Sequence, residues 1–480
     1  MLADNDQLAS AGTFLSRWLA NQGNRVVTGV AVAAAFSTYF CMYAFRKPFA
    51  AATYEQAGVA LFGVEFGLKT LFVTSQILGY ALSKYVGIRV CSQTERRWRF
   101  PLLISLIVVA EVALVVFALS PSEAVWLRAL ALFGNGLPLG MVWGTVVLYL
   151  EGRRASEVLM TGLSCSFIVA SGVVKDVGRA LLAGGDFPIP MLSQFGWSIP
   201  NPLPEVPEYW MPAVTGAIFF PPLLCSAWLL EQTPDPTDED HSERVERVSM
   251  GRAERADFLR RYAWGIFAAV AAYVALTGFR DYRDTYAVEL FTELGYDYEN
   301  NLGVVSQAEL IVAFSVMAIL SQLFRIRKNR LALIATYGIM AAGLVLAGGA
   351  TLLLDAGRLD GFWWMTLVGL GGYLAYVPFN SVLFDRIIAT TGFAGTAVFG
   401  IYLADAAGYS GTVALMLGKD ALLGEASPLA LVRSLSYVLA TVGVGCLALS
   451  CVTFLRKARS ESAHAIESKP LTVRKESNGV

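Results

Sequence analysis

Residues 231–261, EQTPDPTDEDHSERVERVSMGRAERADFLRR, form the longest polar stretch in a 480-residue chain that is 55% apolar and only 16% charged. A membrane-spanning helix needs about 20 mostly apolar residues. Runs of that kind lie near 26–57, 68–86, 101–119, 126–149, 159–183 and 210–230 before the polar stretch. A second set follows it near 262–288, 304–324, 331–353, 362–383, 394–417 and 430–454. The polar stretch thus divides the spans six and six, with an acidic start and a basic finish. This predicts an all-α membrane protein of twelve transmembrane helices in two six-helix halves, 26–230 and 262–455, joined by the linker 231–261. A segment 1–25 precedes the first half, and a polar, disordered tail, 456–480, follows the second.

Charge supports the same reading. A mean hydropathy of +0.54 is too high for a soluble domain. An even number of spans places both termini on one face. The N-terminal segment, the loops on that face and the tail hold 25 of the 37 basic residues, which makes the face cytoplasmic by the positive-inside rule. The expected setting is the bacterial inner membrane. All six cysteines, Cys41, Cys91, Cys165, Cys225, Cys446 and Cys451, fall in spans or on the cytoplasmic side, so no disulfide is expected. Residues 1–25 lack the basic start and cleavage site of a signal peptide. They read as an interfacial helix with Phe14, Leu15, Trp18 and Leu19 on one face. On the opposite side, residues 184–212 hold seven prolines and read as an extended, semi-rigid loop.

Ionised side chains inside a span cost about 2.5–3.5 kcal/mol even on the insertion scale, so each marks function or pairing. Arg46 follows twenty uncharged residues, and its helix is expected to run on past a kink at Pro48 to Ala52. Tyr39 and Tyr43 precede it by seven and three residues on the same face. A planar guanidinium beside hydroxyl donors suits a carboxylate or phosphate. The competing reading has Arg46 snorkel to the outer interface with Lys47. In Phe279-Arg280-Asp281-Tyr282-Arg283-Asp284 each arginine has an acidic neighbour, so Arg280 and Arg283 are either ligands of an anion or members of an ion-pair cluster. Lys175, Asp176 and Arg179 in the fifth span pose the same choice, and Lys84 adds a cation in the second. Glu111, Glu309 and Asp405 are lone acids, suited to proton coupling or to pairing with the arginines. The glycines at 134, 136, 140 and 144, and at 369, 371 and 372, read as sites of close helix packing.

Arg46 in Ala44-Phe45-Arg46-Lys47 and Arg280 in Gly278-Phe279-Arg280-Asp281 also hint at a repeat of the two halves. The Thr53-Tyr54 and Thr285-Tyr286 pairs that follow are two residues out of register with it.

Other chemistries are excluded or weak. The two histidines, His241 and His464, lie in polar segments, so no intramembrane His metal site exists and no metal or cofactor is expected. No phosphate-cradling glycine loop is present to support ATP drive. Gly408-Tyr409-Ser410-Gly411 has no base beside it, so no enzyme is expected. Nothing points to a nucleic-acid partner.

These residues resemble the major facilitator superfamily, and within it the organophosphate:phosphate antiporters. Tyr39, Tyr43, Arg46 and Lys47 match the first-span pattern of those exchangers, and Tyr80-Ala81-Leu82-Ser83-Lys84-Tyr85 is similar to their second-span motif. Glu309, ahead of the basic loop Arg325 to Arg330, resembles their eighth-span glutamate, and Arg280 resembles their seventh-span arginine. Their fifth-span histidine has no counterpart, Ile168 lying near that place, and the aspartate of the superfamily's loop signature is absent. Phe279 to Asp284 together with Val377-Pro378-Phe379-Asn380 also resembles an uncharacterised bacterial membrane-protein family.

The residues and the resemblance together predict a monomeric secondary active transporter that moves a small anionic solute, an organophosphate or organic anion, by alternating access. Arg46, Tyr39, Tyr43, Lys84, Arg280 and Arg283 bind the substrate. Glu309, Asp405, Glu111, Lys175 and Arg179 serve proton coupling or ion pairing, with phosphate or protons as the coupling solute and the lipid bilayer as surroundings. Two alternatives stand beside this: a non-transporting membrane sensor with a transporter fold, and a lipid-modifying membrane enzyme.

Overall fold

The computed structural model describes residues 13–54, 58–61, 63–150, 156–234, 252–297, 301, 303–391, 397–420 and 427–467. The first half comprises span 1 (Asn24–Met42, continued by short 3-10 turns at Tyr43–Phe45 and Pro48–Ala51), span 2 (Leu68–Gln93), span 3 (Arg96–Leu119), span 4 (Val125–Leu150), span 5 (Ser156–Ala183) and span 6 (Met211–Glu231). A polar helix, Arg252–Arg261, leads into the second half. That half comprises span 7 (Ala263–Thr285), span 8 (Val304–Leu320), span 9 (Asn329–Asp355), span 10 (Gly361–Ser381 with Leu383–Thr391), span 11 (Ala397–Gly418) and span 12 (Pro428–Val438 and Val444–Glu467, joined by one π turn). Short helices at Phe14–Ala20 and Ala287–Glu293 lie outside the spans.

The two halves repeat one packing scheme. Span 1 packs on spans 5 and 6, and span 4 on spans 2 and 3; six spans later, 7 packs on 11 and 12, and 10 on 8 and 9. Contact between the halves runs mainly through span 5 on span 8 and span 2 on span 11. Among the described residues, seven helices are long and apolar enough to cross a bilayer on composition alone, eight when the two parts of span 10 are joined. The four that fall short are spans 2, 5, 8 and 11. These are the four spans through which the halves meet, and a face packed on protein can carry polar residues.

Tryptophans mark the membrane boundaries. Trp18, Trp98, Trp228 and Trp264 are exposed near helix ends on the face that carries the termini, and Trp126, Trp210 and Trp363 near span starts on the far face. Such belts are typical where amphipathic rings meet headgroups. A short helix runs from Phe14 to Ala20, but the four apolar residues expected on one face divide, Phe14 and Trp18 being exposed and Leu19 buried; residues 1–12 lie outside the described residues.

Several expectations need correction. Span 1 does not continue as an α-helix to Ala52: Pro48 can donate no backbone hydrogen bond, and the chain breaks into 3-10 turns after Met42. The last helix runs on to Glu467, through a sequence rich in Ala, Arg and Glu, which favour helix. Residues 184–212 are more ordered than an extended loop: Phe187–Pro188 pairs antiparallel with Ser198–Ile199, and the Gly303 backbone at the start of span 8 lies close to Pro188 and Ser193.

Candidate functional site

Small residues set the geometry of spans 2 and 4. A Cβ at Gly136 would run into the backbone carbonyl of Gln76, one at Gly140 into Ser83, and one at Gly79 into the carbonyl of Phe133. The crossing therefore depends on these glycines, as expected of the sequence at Gly136 and Gly140. Gly371 meets the Gly343 carbonyl of span 9 in the same manner, and Gly369 makes room for the Arg283 guanidinium.

A cavity of about 430 Å3 lies between the halves. Spans 1, 2, 4 and 5 supply Tyr39, Tyr43, Arg46, Tyr80, Lys84, Trp143 and Phe167; spans 7, 10 and 11 supply Arg280, Tyr376, Asn380, Tyr402, Asp405 and Tyr409. It extends toward the face carrying the termini, where it is bounded by Gly87, Val147, Leu148 and the exposed Tyr402. Arg46 is 7% exposed, inside the bundle and not at an interface, so the snorkelling reading fails. Its guanidinium lies 4.0 Å from the Tyr80 ring centre, and its Nη1 donates to the Tyr43 hydroxyl at 3.5 Å. Tyr39 stands edge-on to Tyr43, ring centres 5.7 Å apart. From the other half, Arg280 lies 4.0 Å from the Tyr376 ring centre and pairs with Asp281. Both arginines reach one cavity, which favours the Phe-Arg register of the repeat; Gly278 packs on Leu415 instead. Lys84 lies 4.9 Å from the Tyr80 ring centre. Asp405 accepts the Tyr273 hydroxyl proton at 2.5 Å, and Asn380 donates to the same hydroxyl at 3.1 Å.

Other expected site residues lie elsewhere. Arg283 does not line the cavity: its Nη1 donates to Glu309 at 2.8 Å and its Nη2 to the Met365 carbonyl at 2.8 Å, all within the second half. Glu309 is thereby occupied as well. Glu111, on span 3, faces Gly216 of span 6 and does not line the cavity. Arg179 lies 3.5 Å from Asp176, whose other oxygen accepts the Ser306 amide of span 8 at 2.7 Å. Lys175 does not pair with Asp176 but reaches Asp284 of the other half at 2.6 Å.

Asp284 also takes Lys47 and Ser171. Lys69 with Glu289, and Thr70 with Tyr286, add further contacts between the halves. These pairs close the far side of the cavity. Lys47 and Asp284 line not the main space but a chamber of about 10 Å3, whose walls also include Arg46, Arg280 and Asp281.

Of the cavity's other tyrosines, Tyr80 was expected only as part of the second-span motif, and Tyr376 and Tyr409 were not expected at all. A signal existed: Tyr80 and Lys84, Tyr376 and Asn380, and Asp405 and Tyr409 are each four residues apart, one helical face apiece. Among the described residues no group of acids, histidines and cysteines suited to a metal occurs.

No curated protein matches the chain in sequence. Among solved structures it is similar to a D-xylose–proton symporter, at 14% identity and a TM-score of 0.54, over 90% of this chain and 96% of that one. It is also similar to FucP, a major facilitator superfamily transporter in the outward conformation, at 13% identity and a TM-score of 0.50, over 90% and 98%. The fold is the twelve-helix, two-domain fold of that superfamily. A family profile covers residues 48–457, and the chain accordingly belongs to DUF5690, a family of unknown function.

Proposed function

We propose that the chain is a secondary active transporter that moves a small organic anion, an organophosphate or a carboxylate, by alternating access. The observation that carries this reading is the pair of arginines, one from each half, facing a single cavity of small-molecule size, about 430 Å3. Arg46 has no carboxylate partner in an ion pair among the described residues, and its Nε lacks any partner. A buried, unpaired guanidinium is costly unless an anion meets it. Arg46 and Arg280 grip the anion, Lys84 adds charge, and Tyr39, Tyr43 and Tyr80 donate hydrogen bonds. Aromatic walls from Trp143, Phe167 and Tyr376 suit the apolar body of an organic solute.

The face carrying the termini is cytoplasmic by the distribution of basic residues, and the membrane is a bacterial inner membrane. The protein works there as a monomer, without catalysis. The cavity then faces inward. Coupling runs through exchange for phosphate or through protons at Asp405, since Glu309 is held by Arg283.

Uptake by proteoliposomes of labelled phosphate esters, sugar acids and dicarboxylates tests the proposal. Arg46→Ala and Arg280→Ala should each abolish uptake of every accepted anion. Retained wild-type uptake in both, with the proteins folded, would overturn the site.

A further inference from the structure

We propose that Gln76 and Asn135 are positioning residues for the anion site: a two-amide bracket that fixes the backbone of span 1 where it breaks at Phe45 and Arg46. This rests on the reading of Arg46 as an anion ligand. Neither side chain lines the cavity, and both are buried, Asn135 at 0% and Gln76 at 4% exposure.

The break creates the need. In a continuous α-helix the carbonyls of Phe45 and Arg46 would accept from the amides of residues 49 and 50. With Pro48 in the turn, the Ala50 amide bonds Lys47 instead, at 3.0 Å. A backbone carbonyl without a partner in a membrane interior costs several kcal/mol. Asn135 Nδ2 donates to the Phe45 carbonyl at 3.0 Å and to the Ala110 carbonyl of span 3 at 2.9 Å. Gln76 Nε2 donates to the Arg46 carbonyl at 2.9 Å and to Asn135 Oδ1 at 2.8 Å. Both hydrogens of both amide groups are thereby used.

The arrangement exceeds what joining two helices requires. A Gln–Asn pair whose only task was to tie span 2 to span 4 would need the single bond between them. Two of the four donated hydrogens go instead to the turn that carries Arg46. The close crossing at Gly79 and Gly136 brings the two amides together beside that turn. Span 2 also supplies Tyr80, on which the Arg46 guanidinium stacks. Gln76 and Tyr80 are one helical turn apart, so one rigid element holds both the backbone and the head of the arginine. The bracket thus sets where the guanidinium points before an anion arrives.

Full-length protein in nanodiscs and proteoliposomes tests this with Gln76→Leu and Asn135→Leu, and with Leu132→Ala as control. Leu132 is fully buried on the same span as Asn135, one turn before it, and its side chain makes no hydrogen bond, so its loss lowers stability while leaving both amides and the carbonyls they hold in place. In both bracket variants, hydrogen exchange of amides 43–52 without ligand should speed up by about tenfold, the factor expected from one lost buried bond. The glycerol 3-phosphate or succinate concentration for half-maximal uptake should rise by about tenfold, with maximal rate within about twofold. Leu132→Ala should change neither. If Asn135→Leu does not fold, Gln76→Leu decides alone. Unchanged exchange at 43–52, or an equal effect of Leu132→Ala, overturns the bracket. Faster exchange in a protein whose wild type takes up neither these solutes nor inorganic phosphate overturns the anion reading, and with it the positioning role. The two failures are therefore separable.

Discussion

At the scale of single residues, the cavity separates arginines that are spoken for from those that are not. Arg283 is bound on two sides, by Glu309 and the Met365 carbonyl, whereas Arg46 offers its fork to the cavity. Replacing Arg46 by Lys keeps the charge but loses the planar fork and the stack on Tyr80. The concentration of transported anion for half-maximal uptake should then rise by about tenfold or more, measured in proteoliposomes; an unchanged value would mean that charge alone suffices. Glu309→Gln tests the opposite class. It leaves a buried Arg283 without its counter-charge, which should cost about 3–5 kcal/mol and lower the thermal midpoint of the purified protein. Apparent anion affinity should stay near wild type. Arg46 was legible in the sequence because a charge after twenty uncharged residues stands out. The role of Arg283 was not, because its partner comes from span 8 and adjacency to Asp284 suggested a different pair.

At the scale of elements, close approach is set by glycines whose Cβ positions are occupied by a neighbour's backbone. Gly136→Val should destabilise the protein by about 1–3 kcal/mol or more, since the Gln76 carbonyl cannot move without shifting span 2. Gly134, two residues away, has nothing within 4 Å of its Cβ direction, so Gly134→Ala should be neutral or stabilising by up to about 1 kcal/mol. Thermal unfolding of the two variants in detergent measures the contrast, and equal shifts would show that the crossing is not limited by backbone contact. Run length made the spans readable, and glycine clustering marked the crossings at Gly136 and Gly371. The break in span 1 was only half readable: Pro48 announced a disturbance, but its resolution into two 3-10 turns depends on amides that Gln76 and Asn135 bring from elsewhere. Span 10 likewise bends by 52°, at the break between Ser381 and Leu383, shortly after Pro378.

At the scale of the molecule, six and six spans could be counted from apolar runs, but which charges would meet across the halves could not. Lys175, Asp176 and Arg179 read as one local group of the fifth span, either binding an anion or pairing among themselves. Packing span 5 against the second half sends Lys175 to Asp284, which also takes Lys47 and Ser171. One carboxylate of the second half thus collects three groups of the first, on the side of the cavity away from the termini. Asp284→Asn should leave the buried Lys175 and the largely buried Lys47 without a counter-charge and so weaken closure of the far face more than the fold of either half. A two-state equilibrium responds steeply to such a loss, about tenfold for each 1.4 kcal/mol. Hydrogen exchange of Tyr286 to Leu294 and of Ala50 to Tyr54, in nanodiscs, should therefore speed up by about tenfold or more. Asp355→Asn is the matched control. It breaks the Arg433 pair, which lies wholly within the second half and is partly exposed, and an exposed pair contributes about 0–1 kcal/mol. Exchange at the far face should not respond to it. Equal exchange in Asp284→Asn and wild type would show that helix packing between spans 5 and 8, and not the ion pairs, keeps that face shut.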